Sequence, residues 1–446
     1  MILIHIPRIT NRLGYTLNVL FHNILQAEYS ITTNVEEFTK HEGAKFAYGP
    51  EKICQAPFFK ASKLLFQTSI EEQDLSFFEY KSLPALFPVY GKDTDLPFDP
   101  FAAIFYTITR YEEYLPHLTD PHGRFSATDS VAYQYNFLQI PIVDYWAALI
   151  KDVILSQYPD AHIAPKVYEF EQTIDVDAAY CYRHKGLPRT IMGALRDGLV
   201  AHDTELLKQR LQVLRHKKED PFDTFDYILS FKKKHKSMRI IFFVLLGDYS
   251  NFDKPISYNN SEFRNLIQHI GDYAKVGIHP SYGSLEHPEN IEKEAHRLEN
   301  ILHRTIVRSR FHFLRIQMPR SFRSLIHAEI FNDYSLGYHD EPGFRAGTCV
   351  PFPFYDLESD QETPLMLHPF AVMDTTLQKY KKMNVEQAWE AYRSIIDATR
   401  QVGSTFCAIW HNQNLSDSEG WEGWKALYEK VLEYADPQRN NTIEDN

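Results

Sequence analysis

The sequence has few of the features that mark disulfide-bonded or membrane-spanning proteins. Its four cysteines are scattered and include no C-x-x-C pair, which favours buried or free thiols in a reducing compartment over a disulfide framework. It has no run of about 18 apolar residues, and its first residues, M-I-L-I-H-I-P-R, show no basic stretch followed by an apolar one. We therefore expect a cytoplasmic protein without a transmembrane segment.

Positively charged residues are also fewer than negatively charged ones. Lys and Arg number 47 against 59 Asp and Glu, which gives a net charge of −12. An acidic surface disfavours nonspecific binding to nucleic acid and to anionic membranes, so we expect neither as a partner. The basic run at 232–236 lies at the end of a predicted helix, where cations complement the helix dipole. The oligomeric state is left open.

Motifs for two common kinds of chemistry are missing. The sequence has no G-x-S-x-G elbow, which argues against Ser-His-Asp hydrolysis. The stretch 343–349 contains two glycines and an arginine but lacks the G-x-G-x-x-G pattern and a long strand before it. A structural turn is therefore favoured there over a cradle for an anionic or carbonyl group.

The chain is long and apolar enough for two packed domains. Its 446 residues, 44% of them hydrophobic, exceed one ordinary core. A polar, proline-flanked stretch at 159–165 leads us to predict an α+β domain over 1–163, a second domain over 164–436 and a polar tail over 437–446. In the first domain Asp99-Pro100 begins a predicted helix, and the charged residues 110–113 near its end are interpreted as an ion-paired face, with a docking surface as the alternative.

Strands alternate with longer helices in the second domain. Strands are predicted at 239–245, 276–279, 305–310, 364–367 and 404–410, and helices at 223–235, 260–273, 288–302, 319–328, 385–402 and 420–434. Repeated βα units with buried strands imply a parallel sheet, either open or closed into a barrel. Functional side chains in such folds lie at the carboxyl ends of the strands.

One stretch combines a strand pattern with two carboxylates. Residues 166–177 alternate as in a β-strand and end in Asp175-Val176-Asp177. Side chains two residues apart point to the same face, about 6–7 Å apart along the backbone. Two like charges that close need a cation, a proton or a substrate to compensate them. An isolated D-x-D is more often a helix cap or part of a solvated turn.

Other polar side chains follow later strands. His279 follows one strand, Arg308, Arg310 and His312 occur near the next, and the stretches 368–374 and 410–412 contain further histidines and an aspartate. A lone histidine before proline is more often a packed loop residue. At neighbouring strand ends, however, imidazoles and carboxylates suit a divalent metal that accepts nitrogen and oxygen ligands.

In this order, the motifs of residues 166–434 resemble those of the polysaccharide deacetylase superfamily, the family-four carbohydrate esterases. The resemblance implies an α/β fold with a distorted (β/α) barrel after the α+β region. The family's first motif, T-F-D-D-G with D-x-D variants, implies Asp175 as the catalytic base and Asp177 as a metal ligand. The third motif implies an arginine that orients the base, and Arg308 and Arg310 are the candidates.

The remaining motifs match in part. The fourth implies Asp374 as the aspartate that engages the arginine. The fifth, an apolar strand that ends in L-x-H, implies His411 as the general acid. The second, H-[ST]-x-x-H, matches at its first histidine, His279, whereas Gly283 stands where the second ligand belongs.

A replacement for that ligand is needed, because catalytic zinc commonly has about three protein ligands. His312 lies two residues past Arg310 and so on the same side of a strand, which makes it the candidate third ligand. His287 is the other candidate. If neither serves, the alternatives are a metal-free amide hydrolase on the same fold and a noncatalytic carbohydrate-binding or assembly protein.

The resemblance implies a hydrolase that removes an acetyl group from an N- or O-acetylated sugar, a glycan intermediate or a related small molecule. The implied cofactor is a divalent metal, usually Zn²⁺, which polarises the acetyl carbonyl and activates water. Tyr282, Trp410 and Phe354 are candidates to stack on sugar rings, with core packing as the alternative. The N-terminal region resembles an extra domain that precedes such barrels in some bacterial members, and no activity attaches to it.

Overall fold

The computed structural model describes residues 1–200, 204–235, 238–418 and 420–438. Residue 236 of the basic run and residues 439–446 of the predicted tail lie outside these ranges. Within them the chain forms a four-stranded sheet, a two-stranded sheet and a nine-stranded sheet. One hydrophobic core extends from Ile2 to Ala435 and so includes residues of all parts of the fold.

The four-stranded sheet comes from the N-terminal region. Its strands are β1 (Ile2–His5), β2 (Tyr29–Thr32), β3 (Lys45–Gly49) and β4 (Phe58–Lys60), in the order β2-β1-β3-β4. All three pairings are parallel, and parallel strands need crossover connections. Helices α1 (Asn11–Asn18) and α2 (Val35–Lys40) provide two of them. The region is therefore of α/β type, not the predicted α+β type.

The rest of the N-terminal region packs helices on this sheet. It contains a hairpin of β5 (Phe78–Tyr80) and β6 (Leu83–Ala85) and the helices α3 (Pro100–Ile108), α4 (Val131–Gln134) and α5 (Ile142–Gln157). Helix α3 begins as the sequence predicts. The Asp99 side chain accepts hydrogen bonds from the Phe101 and Ala102 amides, and every residue of the helix is buried.

The nine-stranded sheet forms the second part of the chain. Its strands are β7 (Glu169–Val176), β8 (Arg239–Val244), β9 (Lys275–Ile278), β10 (Arg308–Ser309), β11 (Asn332–Asp333), β12 (Phe352–Asp356), β13 (Gln361–Leu367), β14 (Val372–Met373) and β15 (Thr405–His411). The spatial order is β12-β13-β11-β10-β9-β8-β7-β15-β14. Only β12 and β13 pair antiparallel among these strands.

Helices connect most of the parallel strands. They are α6 (Leu187–Leu195), α7 (Thr204–Leu214), α8 (Phe225–Lys234), α9 (Ser261–Tyr273), α10 (Glu289–Leu302), α11 (Arg320–His327), α12 (Val385–Gln401) and α13 (Trp424–Ala435). Each of the strands and helices predicted above for this part is present with shifted ends, whereas α6, α7, β11, β12 and β14 are not among those ranges. None of the described helices has both the length and the apolar character needed to cross a membrane.

The predicted barrel is not closed. Among the described residues the sheet has two edges, β12 and β14. Strands β10, β11 and β14 are two residues long, and beside β10 and β11 side chains bind the backbone amides that would extend the ladder. Ser335 Oγ accepts a hydrogen bond from the Phe311 amide, and Asp333 Oδ1 accepts one from the Ser335 amide. The described strands therefore do not complete a ring of backbone hydrogen bonds.

A buried ion pair joins the N-terminal region to the second part. Glu113 Oε1 accepts hydrogen bonds from Arg110 Nε (2.7 Å) and Arg345 Nε (2.9 Å), and its Oε2 accepts one from Arg345 Nη2 at 2.6 Å. Arg110 also donates to the Arg345 carbonyl. Burial alone would raise the pKa of Glu113, but the two guanidinium groups lower it to about 2. The predicted ion-paired face is thus buried, and Arg345 in the predicted turn supplies its partner.

Replacing Glu113 should destabilise the protein. Glu113→Gln removes the carboxylate that pairs with the buried Arg345 and one of the two carboxylates that pair with Arg110, so we expect the free energy of unfolding to fall by about 3–5 kcal/mol. Urea denaturation measures this change. Glu390→Gln is the matched control, because its partner Arg393 lies on the surface and the expected change is within about 0.5 kcal/mol. Equal effects of the two substitutions would contradict the structural role of the buried pair.

The effect of Glu113→Gln should also depend on pH. The folded-state pKa of Glu113, about 2, lies below its ordinary value of 4.5. Its stabilising contribution is therefore fully present above pH 4.5 and is lost as the pH falls towards 2. The difference in stability between the wild-type protein and the variant should narrow over this range in unfolding measured at several pH values.

Candidate active site

The predicted site residues meet at one edge of the nine-stranded sheet. Parallel strands present their carboxyl ends at the same edge, and strand register places the last residue of β15, His411, beside Asp175. The side chains at this edge are Asp175 and Asp177 from β7 and its exit, His279 after β9, Arg310 and His312 after β10, Asp374 after β14, and His411 at the end of β15.

Asp177, His279 and His312 form a compact group of potential metal ligands. One ligand atom from each residue lies within 4.8 Å of the others. Asp177 Oδ1 is 3.2 Å from His279 Nε2 and 3.6 Å from His312 Nε2. That oxygen is buried and accepts no hydrogen bond from a described residue. A buried carboxylate oxygen without a donor, faced by two imidazoles, fits a bound divalent cation.

Each of these histidines is held through its other ring nitrogen. His279 Nδ1 is hydrogen-bonded to the carbonyl of Arg310, and His312 Nδ1 lies 2.8 Å from Asp253 Oδ1. A carbonyl oxygen can only accept, so Nδ1 of His279 donates, and in the neutral ring Nε2 keeps its lone pair. An acceptor behind the ring is the usual support for a metal-binding histidine.

The electrostatics agree with a cationic occupant. Burial alone would raise the pKa of Asp177, but the neighbouring histidines lower it well below its usual range. The carboxylate is therefore ionised and available as a ligand. Nitrogen and oxygen donors in this combination suit zinc and related divalent ions.

Asp253 belongs to this group of contacts, and the sequence interpretation did not select it. Its carboxylate also accepts hydrogen bonds from the Tyr282 amide (2.9 Å) and Ser250 Oγ (2.8 Å). Burial would raise the pKa of Asp253, and its contact with His312 outweighs this and lowers it. The signal was present, because Asp253 lies in the polar loop after β8, where the rule of strand ends also applies.

Arg310 holds Asp175 in a fixed orientation. Arg310 Nη1 donates to Asp175 Oδ1 at 2.9 Å and to Thr173 Oγ1 at 2.7 Å. The guanidinium is fully buried, and its carbon lies 4.6 Å from the centre of the Phe243 ring. Asp175 Oδ2 is left on the side of the imidazoles, 3.9 Å from His279 Nε2.

Arg308, the other predicted arginine, is not part of this group. Its side chain interacts with Glu171 and Tyr334. Glu171 lies four residues before Asp175 on β7, so Arg308 is one layer deeper in the sheet. The spacing of two residues places both arginines on one face of the strand but at different depths.

Asp374 binds His411, and this differs from the expectation that it engages the arginine. Asp374 Oδ1 is 2.7 Å from His411 Nδ1, and Oδ2 accepts hydrogen bonds from the His411 amide and Asn414 Nδ2, each at 2.9 Å. The reason is that β14 pairs with β15, so their ends are adjacent. Burial alone would lower the pKa of His411, but the Asp374 carboxylate raises it to about 9.

These side chains line a cleft with a volume of about 280 Å³. Of the predicted sugar-stacking residues, Trp410 and Phe354 are core residues that are 1% and 2% exposed. Trp410 stacks on Tyr392 because it points to the helix side of β15, opposite to His411. Tyr282 is half-buried and stacks on Phe252 with ring centres 4.0 Å apart. His287, the other candidate ligand, is exposed and lies 3.3 Å from Glu289.

A family model matches the N-terminal region of the chain. Residues 2–159 match the model of a family of unknown function, DUF7033. A search of curated proteins finds no significant match.

The solved structures to which the fold is similar cover about three fifths of this chain. A protein of Mycobacterium smegmatis described as a polysaccharide deacetylase has 14% identity and a TM-score of 0.38, over 60% of this chain and 85% of its own. A polysaccharide deacetylase of Bacillus cereus has 12% identity and a TM-score of 0.29, over 60% and 88%. A mutant of a CE4-family pseudoenzyme with restored enzymatic activity has 11% identity and a TM-score of 0.28, over 61% and 65%. The likeness concerns the fold, and function is inferred below from the geometry of the site.

The ligand group should bind one divalent ion per chain. We expect Zn²⁺ or Co²⁺ to bind the purified protein in near-stoichiometric amount, measured by elemental analysis after dialysis. His312→Ala should weaken binding by more than the roughly 10–100-fold that is typical for loss of an outer-shell partner. His287→Ala, the control at the other candidate histidine, should leave the affinity unchanged. Full affinity in His312→Ala would exclude it as a ligand.

The support from Asp253 can be measured in the same way. Asp253→Ala removes the acceptor behind His312, and we expect metal affinity to fall about 10–100-fold. Asp248→Ala, in the same loop but with an exposed carboxylate, is the control and should bind metal as the wild-type protein does. Titration with Zn²⁺ against a chromogenic chelator distinguishes these outcomes.

Proposed function

We propose that this protein is a metal-dependent hydrolase that removes an acetyl group from an acetylated amino sugar or a related glycan intermediate. One observation carries the proposal. A single cleft is faced by three groups: the ligand residues Asp177, His279 and His312, the Asp175 carboxylate that Arg310 holds, and the His411 imidazole that Asp374 holds. These are the parts that hydrolysis of an amide or ester requires: an electrophilic centre, a base for water and an acid for the leaving group.

The ligand group supports the first part. Asp177, His279 and His312 would hold the divalent ion, since their donor atoms converge on a buried oxygen without a hydrogen-bond donor. A divalent ion bound there acts as a Lewis acid that polarises a carbonyl and lowers the pKa of water.

Asp175 supports the second part as the general base. Its Oδ1 is occupied by Arg310, so Oδ2 is the atom that takes the proton of the attacking water. The Arg310 guanidinium forms a buried ion pair with this carboxylate at 2.9 Å. The hydrogen bond also prevents rotation of the carboxylate, which keeps Oδ2 on the cleft side.

His411 supports the third part as the general acid. Asp374 binds Nδ1 of the ring and so directs Nε2 towards the cleft, 3.9 Å from Asp177 Oδ2. From that position Nε2 donates a proton to the departing amine or hydroxyl. The two carboxylates therefore have separate roles: Asp175 is paired with a cation and accepts a proton, and Asp374 keeps the donor oriented.

The cleft also restricts the substrate. A volume of about 280 Å³ is at the lower end of roughly 300–1,000 Å³ for ligand sites, which suits one acetylated sugar unit. The ring of Tyr282 lies 5.3 Å from the ring of Phe313, which lines the cleft, and is the remaining candidate for stacking on a sugar face. A carbohydrate substrate is therefore proposed, with an acetylated small molecule as the next choice.

Loss of the base should abolish most of the activity. The assay is release of acetate from a panel of N-acetylated sugars by the metal-loaded protein. Asp175→Asn should lower kcat by about 10²–10⁴-fold, the usual contribution of general base catalysis. If Asp175→Asn keeps full activity, the assignment of the base is wrong. If no sugar is hydrolysed and glycan binding survives Asp177→Ala, the protein is a binding protein instead. Turnover without metal would favour the metal-free hydrolase.

The two arginines give a matched pair of variants. Arg310→Lys keeps the charge but shortens the reach to Asp175, and a misplaced catalytic group costs about 10²-fold in rate. Arg308→Lys makes the same chemical change one layer deeper, where it should leave the rate close to that of the wild-type protein. The measurement is kcat for both variants on the substrate found in the panel.

A further inference from the structure

A loop of the N-terminal region reaches the candidate active site. Residues 120–124, here named the Arg124 loop, form a tight turn in which Gly123 has a positive φ of 77°. Arg124 lines the cleft together with His312, from which it is separated by 188 positions in the sequence. The loop belongs to the segment 2–159, which matches a family of unknown function.

Hydrogen bonds at both ends of its guanidinium group hold the buried Arg124 side chain in place. It is 4% exposed and binds Asp120 Oδ2 with Nε (2.9 Å) and Nη2 (2.7 Å). Its Nη1 donates to the backbone carbonyl of Phe313 at 2.9 Å, and its Nη2 also reaches the hydroxyl of Tyr380 at 3.2 Å. A guanidinium group presents its N–H donors in one rigid plane. When a carboxylate fixes two of these donors, the others hold their acceptor in a defined position.

The backbone that Arg124 holds is strained. Phe313 and Leu314 follow His312 directly, and their φ angles are 61° and 53°. Large side chains rarely adopt this left-handed conformation, and two in succession persist only where surrounding contacts enforce it. The turn lies beyond β10, which ends at Ser309, and the His312 amide donates to the Pro280 carbonyl at 3.0 Å.

A second set of contacts fixes the far side of the turn. Arg315 Nε donates to the carbonyl of His122, in the middle of the Arg124 loop, at 2.8 Å. The His122 ring lies 5.2 Å from the ring of Phe313 and is hydrogen-bonded to the Tyr282 hydroxyl at 3.0 Å. The Arg124 loop is therefore hydrogen-bonded to the strained turn at both Phe313 and Arg315.

We propose that the Arg124 loop is a positioning element for the metal ligand His312. It keeps residues 313–315 in their strained conformation and thereby keeps His312 Nε2 within reach of Asp177 Oδ1. The proposal rests on the metal site of the proposed function. It gives the N-terminal region a role in the chemistry of the second part, with Arg124 as a positioning residue that does not itself bind the metal.

The need for such an element follows from the position of the ligand. His279 leaves a strand directly, so the sheet orients it. Gly283 provides no imidazole in the same loop, and the third donor comes instead from a turn outside the sheet. A ligand on a turn beyond the end of a strand loses affinity through the entropy of ordering that turn, unless other contacts order it beforehand.

A double-mutant cycle on metal affinity tests the proposal. Arg124→Ala should weaken Zn²⁺ binding about 10–100-fold and change the absorption spectrum of the Co²⁺-loaded protein towards that of His312→Ala. In the double variant Arg124→Ala/His312→Ala the affinity should equal that of His312→Ala alone, because Arg124 acts through His312. Arg323→Ala, which breaks a bidentate pair with Asp356 elsewhere, is the control for general destabilisation and should bind metal normally.

Each other outcome identifies what fails. Wild-type affinity in Arg124→Ala, or additive effects in the double variant, would overturn the positioning role. The assignment of the metal site would stand in that case, provided that His312→Ala alone weakens metal binding. Unchanged affinity in His312→Ala would reject the metal site and the positioning role with it. If Arg124→Ala does not fold, Arg124→Lys replaces it, because lysine keeps the charge but cannot bridge Asp120 and the Phe313 carbonyl together.

Discussion

A buried carboxylate oxygen without a hydrogen-bond donor is the constraint on which the site depends. Asp177 Oδ1 is removed from water, faces the Nε2 atoms of His279 and His312, and accepts no hydrogen bond within the described part of the chain. Such an atom is costly unless a cation or a proton compensates it. Both histidines are held by acceptors at Nδ1, so their free nitrogens point to the same place. A divalent ion bound between these atoms would compensate the energetic cost of burying the Asp177 oxygen.

Four side chains of the proposed site are each held by a hydrogen-bonding partner. Arg310 holds Asp175, Asp374 holds His411, Asp253 holds His312, and the Arg310 carbonyl holds His279. These partners come from loops after β8, β10 and β14, at the same edge of the sheet. The geometry of the site is thus a property of several strand ends at once. It also extends beyond the sheet, because the Arg124 loop binds the turn that carries His312.

Much of the fold and the site follows from local patterns. The apolar runs of β8 and β15 and the alternation of β7 predict buried parallel strands, and the rule of strand ends then selects Asp175, Asp177, His279 and His411. The pattern did not find α6, which buries none of its residues and so carries no core-facing signal. It also gave the wrong type for the N-terminal region, since it did not show that β1–β4 pair in parallel through helical crossovers.

The positions of most strands along the chain and the residue types at their ends follow from the sequence, because periodicity and turn chemistry are local properties of the chain. Tertiary structure alone decided which of two arginines binds Asp175, that Asp374 binds His411, and that Asp253 and Arg124 support His312. These choices depend on the depth of a side chain in the sheet and on contacts between segments far apart in sequence. The placement of Trp410 was decided in the same way, by the helix that packs on the opposite face of its strand.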